Sequence, residues 1–394
     1  MRSQSKVALA LSGGGFSGYL FEIGALTALD DLFEDGFSAN QFDFYVGVSA
    51  GSAASSLLAN GVTPAEILEA NLTGERPYYF ERRNIFAPAV GEGFKSMARA
   101  AQQVGVILRL YLSHPRNLGF IDFLEKVQEI LPCGIYTLEP FDRYLEAAFQ
   151  AKGLSNNFGT LRQPLYIPAI DLEGGHSVVF GDEGWTDVPI SKAVTASSAA
   201  PLYFCPVRIG DRDYIDAGIG RLACFELAAR KAVDFMVIIH PCSHVRLPNS
   251  RTRATTSASK RQGFRGFLSI ADQAARINQE ARLSLALDLH LRQCPDKFFV
   301  ISPNPSDPLI FERSFLSFRD RVCLLRCGYL SVAQAVQEDF NAVRATFAKH
   351  GIAISLAKLE ERMKSRIEEL SVAPPAGQHT LAGSSGRTGW STVY

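Results

Sequence analysis

The chain has 394 residues, 47% hydrophobic and 20% charged, and its 40 basic and 40 acidic residues leave no formal net charge. These values exclude a disordered, collagen-like or small disulfide-stapled chain, and the length allows two domains or one large α/β unit at roughly 100–200 residues per domain. A nucleic-acid binder carries a basic surplus, so no nucleic-acid partner is expected, and any attraction to a membrane must come from local patches or apolar surface.

The apolar stretch Val7–Leu11 is too short for the core of a secretion signal and reads as a first buried strand within Lys6–Ser12. Gly13–Gly15 form a turn, and Tyr19–Leu32 carries apolar residues at helical spacing (Leu20, Ile23, Leu26, Leu29). Phe42–Val48 is a second buried strand, and Ala50–Asn60 a helix of small residues stopped by Gly61. This rhythm of strand, turn, helix and strand predicts an α/β fold with a largely parallel sheet. The uncharged window Phe44–Ala65 holds three Gly, four Ser, an Asn, a Thr and a Pro. It lacks the apolar density of a transmembrane helix, so no membrane span is expected.

Residues 75–150 interrupt the rhythm. They are rich in Phe, Tyr and Leu, show helical patterns at Phe94–Leu112 and Phe120–Ile130, and contain no good strand, so they read as a helical insertion. Strands resume at Leu165–Asp171 and Ser177–Gly181, joined by the turn Glu173-Gly174-Gly175, and Ser191–Ala199 is a short helix. Val207–Ile209 and Asp213–Asp216 form a hairpin around Gly210-Asp211, followed by a helix at Phe225–Val233 and a strand at Phe235–His240. Residues 246–266 hold six basic side chains and no acid, which predicts a basic loop. An amphipathic helix at Ser269–Gln293, expected to pack on the core, a strand at Phe298–Ser302 and a helix at Val332–Lys349 complete the pattern. The expected division is one catalytic domain over 1–355, with its core at about 6–240, the insertion at about 75–150 and a C-terminal helical extension at 267–355. A terminal helix and disordered tail occupy 356–394. The seven cysteines are scattered and form no CxxC pair, which predicts no zinc site and points to a reducing cytosol.

Three short segments carry the chemistry. Gly47-Val48-Ser49-Ala50-Gly51 fits G-x-S-x-G between a strand and a helix. In a nucleophile elbow the serine sits at the tip of a strained turn, and small flanking residues avoid clashes. The alternative is an ordinary turn with a helix-capping serine. Ser12-Gly13-Gly14-Gly15-Phe16-Ser17-Gly18 lies between the first strand and helix. Its glycines can aim successive N–H groups at a phosphate or at an oxyanion. Gly13, Gly15 and Gly18 also satisfy a dinucleotide spacing, but the acidic residue expected after the second strand is replaced by the elbow. Asp216-Ala217-Gly218 places a carboxylate at a strand end, where desolvation would raise its pKa and let it act as a base toward a serine. His240 offers a second base in the order Ser49…Asp216…His240; His244 and His176 are weaker candidates.

These segments, together with Ala196-Ser197-Ser198-Ala199-Ala200-Pro201 and Phe204-Cys205-Pro206-Val207, resemble the patatin-like phospholipase family in order and spacing. The resemblance covers roughly residues 6–240 and extends more loosely to about 355. It implies a three-layer α/β/α sandwich with a mainly parallel central sheet. It also implies a Ser49–Asp216 dyad, elbow glycines Gly47 and Gly51, and an oxyanion hole at Gly13, Gly14, Gly15 and Phe16. The implied reaction is hydrolysis of phospholipid, lysophospholipid or acylglycerol esters through an acyl-enzyme, with no metal or other cofactor. The partner is a lipid substrate, with peripheral membrane contact of a cytoplasmic protein. Ser17 stands where the family typically has Arg or Lys, and Asp-Ala-Gly replaces Asp-Gly-Gly. The first departure favours a non-catalytic lipid-binding protein as the alternative outside the esterases.

Overall fold

The computed structural model describes residues 5–34, 36–89, 133–219, 223–242, 267–291, 294, 296–304 and 320–372. Strand β1 (Val7–Leu11) passes through the turn at Gly13–Gly15 into helix α1 (Gly15–Leu32), and β2 (Phe44–Gly47) turns at Ser49 into α2 (Ala50–Ala59). Helix α3 (Pro64–Thr73) is started by a capping box, in which the Thr63 side chain accepts from the Glu66 N–H and the Glu66 carboxylate accepts in return. The short α4 (Arg82–Ile85) leads to β3 (Ala87–Pro88); β4 (Gly134–Thr137) and α5 (Glu139–Lys152) follow. Then come β5 (Leu165–Asp171), β6 (His176–Phe180), α6 (Ile190–Ser197), β7 (Leu202–Phe204), β8 (Val207–Ile209) and β9 (Arg212–Asp216). Helix α7 (Ala223–Arg230), β10 (Phe235–Ile239), α8 (Phe267–Leu291), β11 (Phe298–Ile301), α9 (Arg321–Glu338), α10 (Phe340–Lys349) and α11 (Leu356–Val372) complete the chain.

The main sheet has the order β11-β10-β1-β2-β5-β9-β8, with β6 also paired to β5. Its five strands from β11 to β5 are parallel, while β6, β8 and β9 pair antiparallel. Alternation along the strands builds two cores. Val7, Leu9 and Leu11 of β1 and Phe235, Val237 and Ile239 of β10 face one cluster with α1, α2 and α9. Ala8, Ala10, Met236 and Ile238 face the other, with Phe225 and Leu227 of α7 and Leu283 of α8. Helices thus cover both faces of a mostly parallel sheet, as expected for the three-layer sandwich.

Helix α1 is buried almost all round because it lies between the sheet and α9. Two glycines permit that contact. A Cβ on Gly24 would fall 1.9 Å from the Leu325 carbonyl oxygen, and one on Gly328 would fall 1.9 Å from that of Phe21.

Two expectations are corrected. The insertion is not purely helical: β4 pairs with β3 and with β7, forming a second, three-stranded sheet. Four residues around Gly134 are too short a run to show periodicity, and their pairing partner β7 lies far along the chain. The single helix expected at Val332–Lys349 is two helices, and the first begins earlier, at Arg321. The break falls at Asp339, which leaves the helical conformation (φ −151°, ψ 72°) and whose carboxylate caps α10 by accepting from the Ala342 N–H. Phe94–Leu112, Phe120–Ile130, the basic segment 246–266 and the tail 373–394 lie outside the described residues. Among the described residues no helix is long and apolar enough to cross a membrane.

Candidate active site

The elbow is built by sterics. Ser49 adopts φ 52° and ψ −131°, a conformation that costs a non-glycine residue on the order of 1–3 kcal/mol. Its neighbours must be small: a Cβ on Gly47 would sit 2.5 Å from the Ser52 Cα, and one on Gly51 would sit 2.6 Å from the Leu11 carbonyl oxygen. The turn is locked by hydrogen bonds. The Ser49 N–H donates to Ser197 Oγ at 2.9 Å, and Ser52 Oγ donates to the Ser49 carbonyl at 2.5 Å.

Asp216 ends β9, which pairs with β5 through Ala169. Its N–H donates to the Ala199 carbonyl at 3.0 Å, and its Oδ1 accepts from the Gly218 N–H at 2.7 Å. The Ser49 side chain lies beside the Asp216 carboxylate, and both residues line one cavity. Burial raises the Asp216 pKa from the ordinary carboxylate value to about 6, against the lowering effect of the Gly218 N–H and of Ser49.

Gly13, Gly14 and Gly15 have φ values of 75°, 107° and 67° in succession, which places three glycines where side chains are strained. They open α1, so the first N–H groups of the helix have no partner four residues back, and the positive end of its dipole faces the site. Gly14, Gly15 and Phe16 line the cavities that meet at Ser49. The Gly13 N–H is aimed elsewhere: it donates at 2.7 Å to Oε1 of Glu22.

Glu22 had not stood out in the sequence. It is wholly buried, its Oε2 has no hydrogen-bond partner, and burial pushes its pKa well above the carboxylate range despite the Gly13 N–H. Its Oε1 would lie only 2.9 Å from a Cβ on Gly51, so one carboxyl touches both the glycine loop and the elbow. The available signal was a lone acid inside the apolar run Tyr19–Ile23. Arg321, at the start of α9, was also missed. Its guanidinium lies 4.8 Å from the centre of the Phe16 ring, and it donates to Asn71 Oδ1 at 2.6 Å and to the Phe80 carbonyl at 2.9 Å.

His240 is not joined to the serine. It is 2% exposed, and neither ring nitrogen makes a well-formed hydrogen bond. Burial draws its pKa down to about 4, offset only in part by the Cys242 backbone and Glu280. His176 is an exposed side chain 4.0 Å from Asp171, and His244 lies outside the described residues. Among the described residues no group of three His, Cys, Asp or Glu side chains is placed to hold a metal ion.

Two cavities flank Ser49. One, of about 540 Å3, has Phe80, Ile85, Phe86, Leu138 and Phe141 from the insertion in its wall and no charged residue among its described lining. The other, of about 870 Å3, holds Asp216, Tyr203, Arg276 and Gln279. A serine beside a buried carboxylate, an apolar channel and a set of backbone donors can carry out acyl transfer.

A family model described as Patatin-like phospholipase matches residues 9–226. The "Probable lipid hydrolase 463L" of Invertebrate iridescent virus 6 is 23% identical over 218 residues, which cover 54% of this chain and 59% of the viral protein. The chain thus spans less than two thirds of that relative's length. VipD from Legionella pneumophila aligns with a TM-score of 0.37 at 15% identity, over 86% of this chain and 68% of VipD. The type III effector ExoU of Pseudomonas aeruginosa aligns with a TM-score of 0.37 at 14% identity, over 94% of this chain and 62% of its own. With the family model matching more than half of its residues, the chain belongs to the patatin-like phospholipase family.

Proposed function

We propose that the protein is a serine acyl hydrolase that cleaves carboxylic esters of lipids by a Ser49–Asp216 dyad. One observation carries the reading: Ser49, on a strained turn, lies beside the buried carboxylate of Asp216 and lines an apolar cavity. Family membership and the similarity to a protein named as a lipid hydrolase support it.

Asp216 takes the proton of Ser49 Oγ as the oxygen attacks the ester carbonyl. The N–H groups of Gly14, Gly15 and Phe16, at the start of α1, hold the oxyanion. Collapse of the tetrahedral adduct breaks the bond to the alcohol oxygen, which leaves with the proton held by Asp216. An acyl group remains on Ser49. Asp216 then takes a proton from water, whose oxygen attacks the acyl carbonyl. The second collapse frees the fatty acid, and the proton returns to Ser49. Burial of the chain contributes about 0.8 kcal/mol per methylene, which the aromatic wall from the insertion is suited to collect.

The test is release of palmitate from palmitoyl lysophosphatidylcholine, with the acyl adduct sought by mass spectrometry. Palmitate from the wild type and none from Ser49→Ala supports the reading; equal release from both would refute it. The missing cation at position 17 favours a non-catalytic lipid binder as second reading, for which lipid would bind with no adduct at Ser49. Ser17 is buried with its hydroxyl on the Gly14 carbonyl, inside the loop.

A further inference from the structure

Arg321 is the first residue of α9, the helix that crosses α1 in close contact at Gly24 and Gly328. It is buried, yet it is absent from the described lining of both cavities at Ser49. Its side chain instead holds residues that line the apolar one. The guanidinium lies 4.8 Å from the centre of the Phe16 ring, in the first turn of α1, and 4.3 Å from that of Tyr79. It donates to the Phe80 carbonyl at 2.9 Å and to Asn71 Oδ1 at 2.6 Å. Asn71 Nδ2 in turn donates to the Tyr78 carbonyl at 3.3 Å. Three consecutive residues, Tyr78, Tyr79 and Phe80, are thus tied to one cluster.

Phe16 and Phe80 both line the apolar cavity. The Tyr19 ring packs on each, 6.2 Å from Phe16 and 5.0 Å from Phe80 between centres. One guanidinium therefore fixes a ring of the glycine loop and a ring of the insertion relative to each other. A planar guanidinium can stack on a ring and donate in its own plane at once, which an ammonium cannot, and the attraction to a ring strengthens when water is excluded.

We propose that Arg321 is a positioning residue for acyl selection: by holding Phe16 and Phe80 together it sets the width of the apolar cavity, so that an extended acyl chain gains rate that a short one does not. The placing of the acyl chain rests on the hydrolase reading above.

The test compares p-nitrophenyl acetate, whose acyl group has no methylene to lay on the wall, with p-nitrophenyl octanoate. Wild type is expected to favour the octanoate in kcat/KM by at least about tenfold. Arg321→Met keeps an apolar stem and loses the fork. It should lose at least about tenfold on the octanoate, mostly in KM, and no more than about threefold on the acetate. Arg321→Lys should recover part of the octanoate rate. Equal losses on both esters, as general loosening would give, overturn the role, and so does no loss on either. Should Arg321→Met not fold, Arg321→Lys decides: a loss confined to the octanoate supports the role, and an unchanged ratio of the two esters overturns it. Binding separates this from the hydrolase reading. In full-length protein carrying Ser49→Ala, calorimetry with decanoate below its critical micelle concentration should show binding that Arg321→Met weakens at least about tenfold. That result without turnover by the wild type would sink the hydrolase reading and leave Arg321 its part in holding the chain. Decanoate binding left unchanged by Arg321→Met overturns the role, whatever the turnover.

Discussion

Ser49, in the turn before α2, lies beside the carboxylate of Asp216 at the end of β9, and the two line one cavity. His240 is absent from the described lining of that cavity, and neither of its ring nitrogens makes a well-formed hydrogen bond. In the proposed dyad the proton acceptor is a carboxylate that burial has made more basic, so its ionisation would set the pH at which the serine is activated.

The acid limb of the rate profile follows. With the Asp216 pKa raised to about 6, kcat/KM for a soluble ester should rise about tenfold per pH unit below 6 and flatten above 7. A profile measured with p-nitrophenyl butyrate checks this; a limb near 4 would contradict it.

The same carboxylate is a stability liability. Asp216 binds its proton more tightly folded than unfolded, so stability falls as pH rises from about 4 to about 6. The loss is on the order of 3 kcal/mol, from a shift of about two pKa units. Relative to wild type, Asp216→Asn should gain stability between pH 4 and 8 while losing activity. Urea melts at both pH values would show the gain, and a constant difference would contradict it.

Glu22 should matter through position, without touching substrate. Glu22→Ala removes the acceptor of the Gly13 N–H and leaves a buried donor unpaired, at a cost of about 1–3 kcal/mol. The glycine loop would loosen, and kcat should fall roughly 10–100-fold with KM little changed. Glu22→Gln keeps an acceptor oxygen and should restore kcat to within about threefold of wild type. Steady-state kinetics on both variants distinguish this from a general loss of packing, in which Gln would fail as well.

Away from the site, Gly24→Ala should separate α1 from α9, because its Cβ would enter the space of the Leu325 carbonyl. Such overpacking against backbone costs about 1–3 kcal/mol or more. Thermal unfolding should show a lowered Tm, and an unchanged Tm would mean that the helices do not cross there.

The parts of this molecule legible in the sequence are those where a short segment dictates its own geometry. Val7–Leu11 had to be a buried strand, and Gly47 and Gly51 announced a turn that no larger residue tolerates. Gly13–Gly15 were read as a turn for the same reason, and all three have positive φ. What stayed hidden depends on distant partners. The strand at Gly134–Thr137 exists only through its pairing with Ala87–Pro88 and Leu202–Phe204. Glu22 and Arg321 gain meaning only once α1 is buried beneath the loop and α9 is packed against it. The amphipathic stretch Ser269–Gln293 reads as core packing, and the helix observed there, Phe267–Leu291, packs in part on the core through Leu283. Its other face, with Arg276 and Gln279, lines the cleft at Ser49, and no periodicity reveals that.

The most direct measurement is labelling by a fluorophosphonate probe, which reacts only with an activated serine. Wild type, Ser49→Ala, Asp216→Asn and His240→Ala would be compared as folded proteins. Labelling of wild type and His240→Ala, with none of Ser49→Ala and little of Asp216→Asn, is the predicted result. No label on wild type, or label that depends on His240 and survives loss of Asp216, would contradict the dyad.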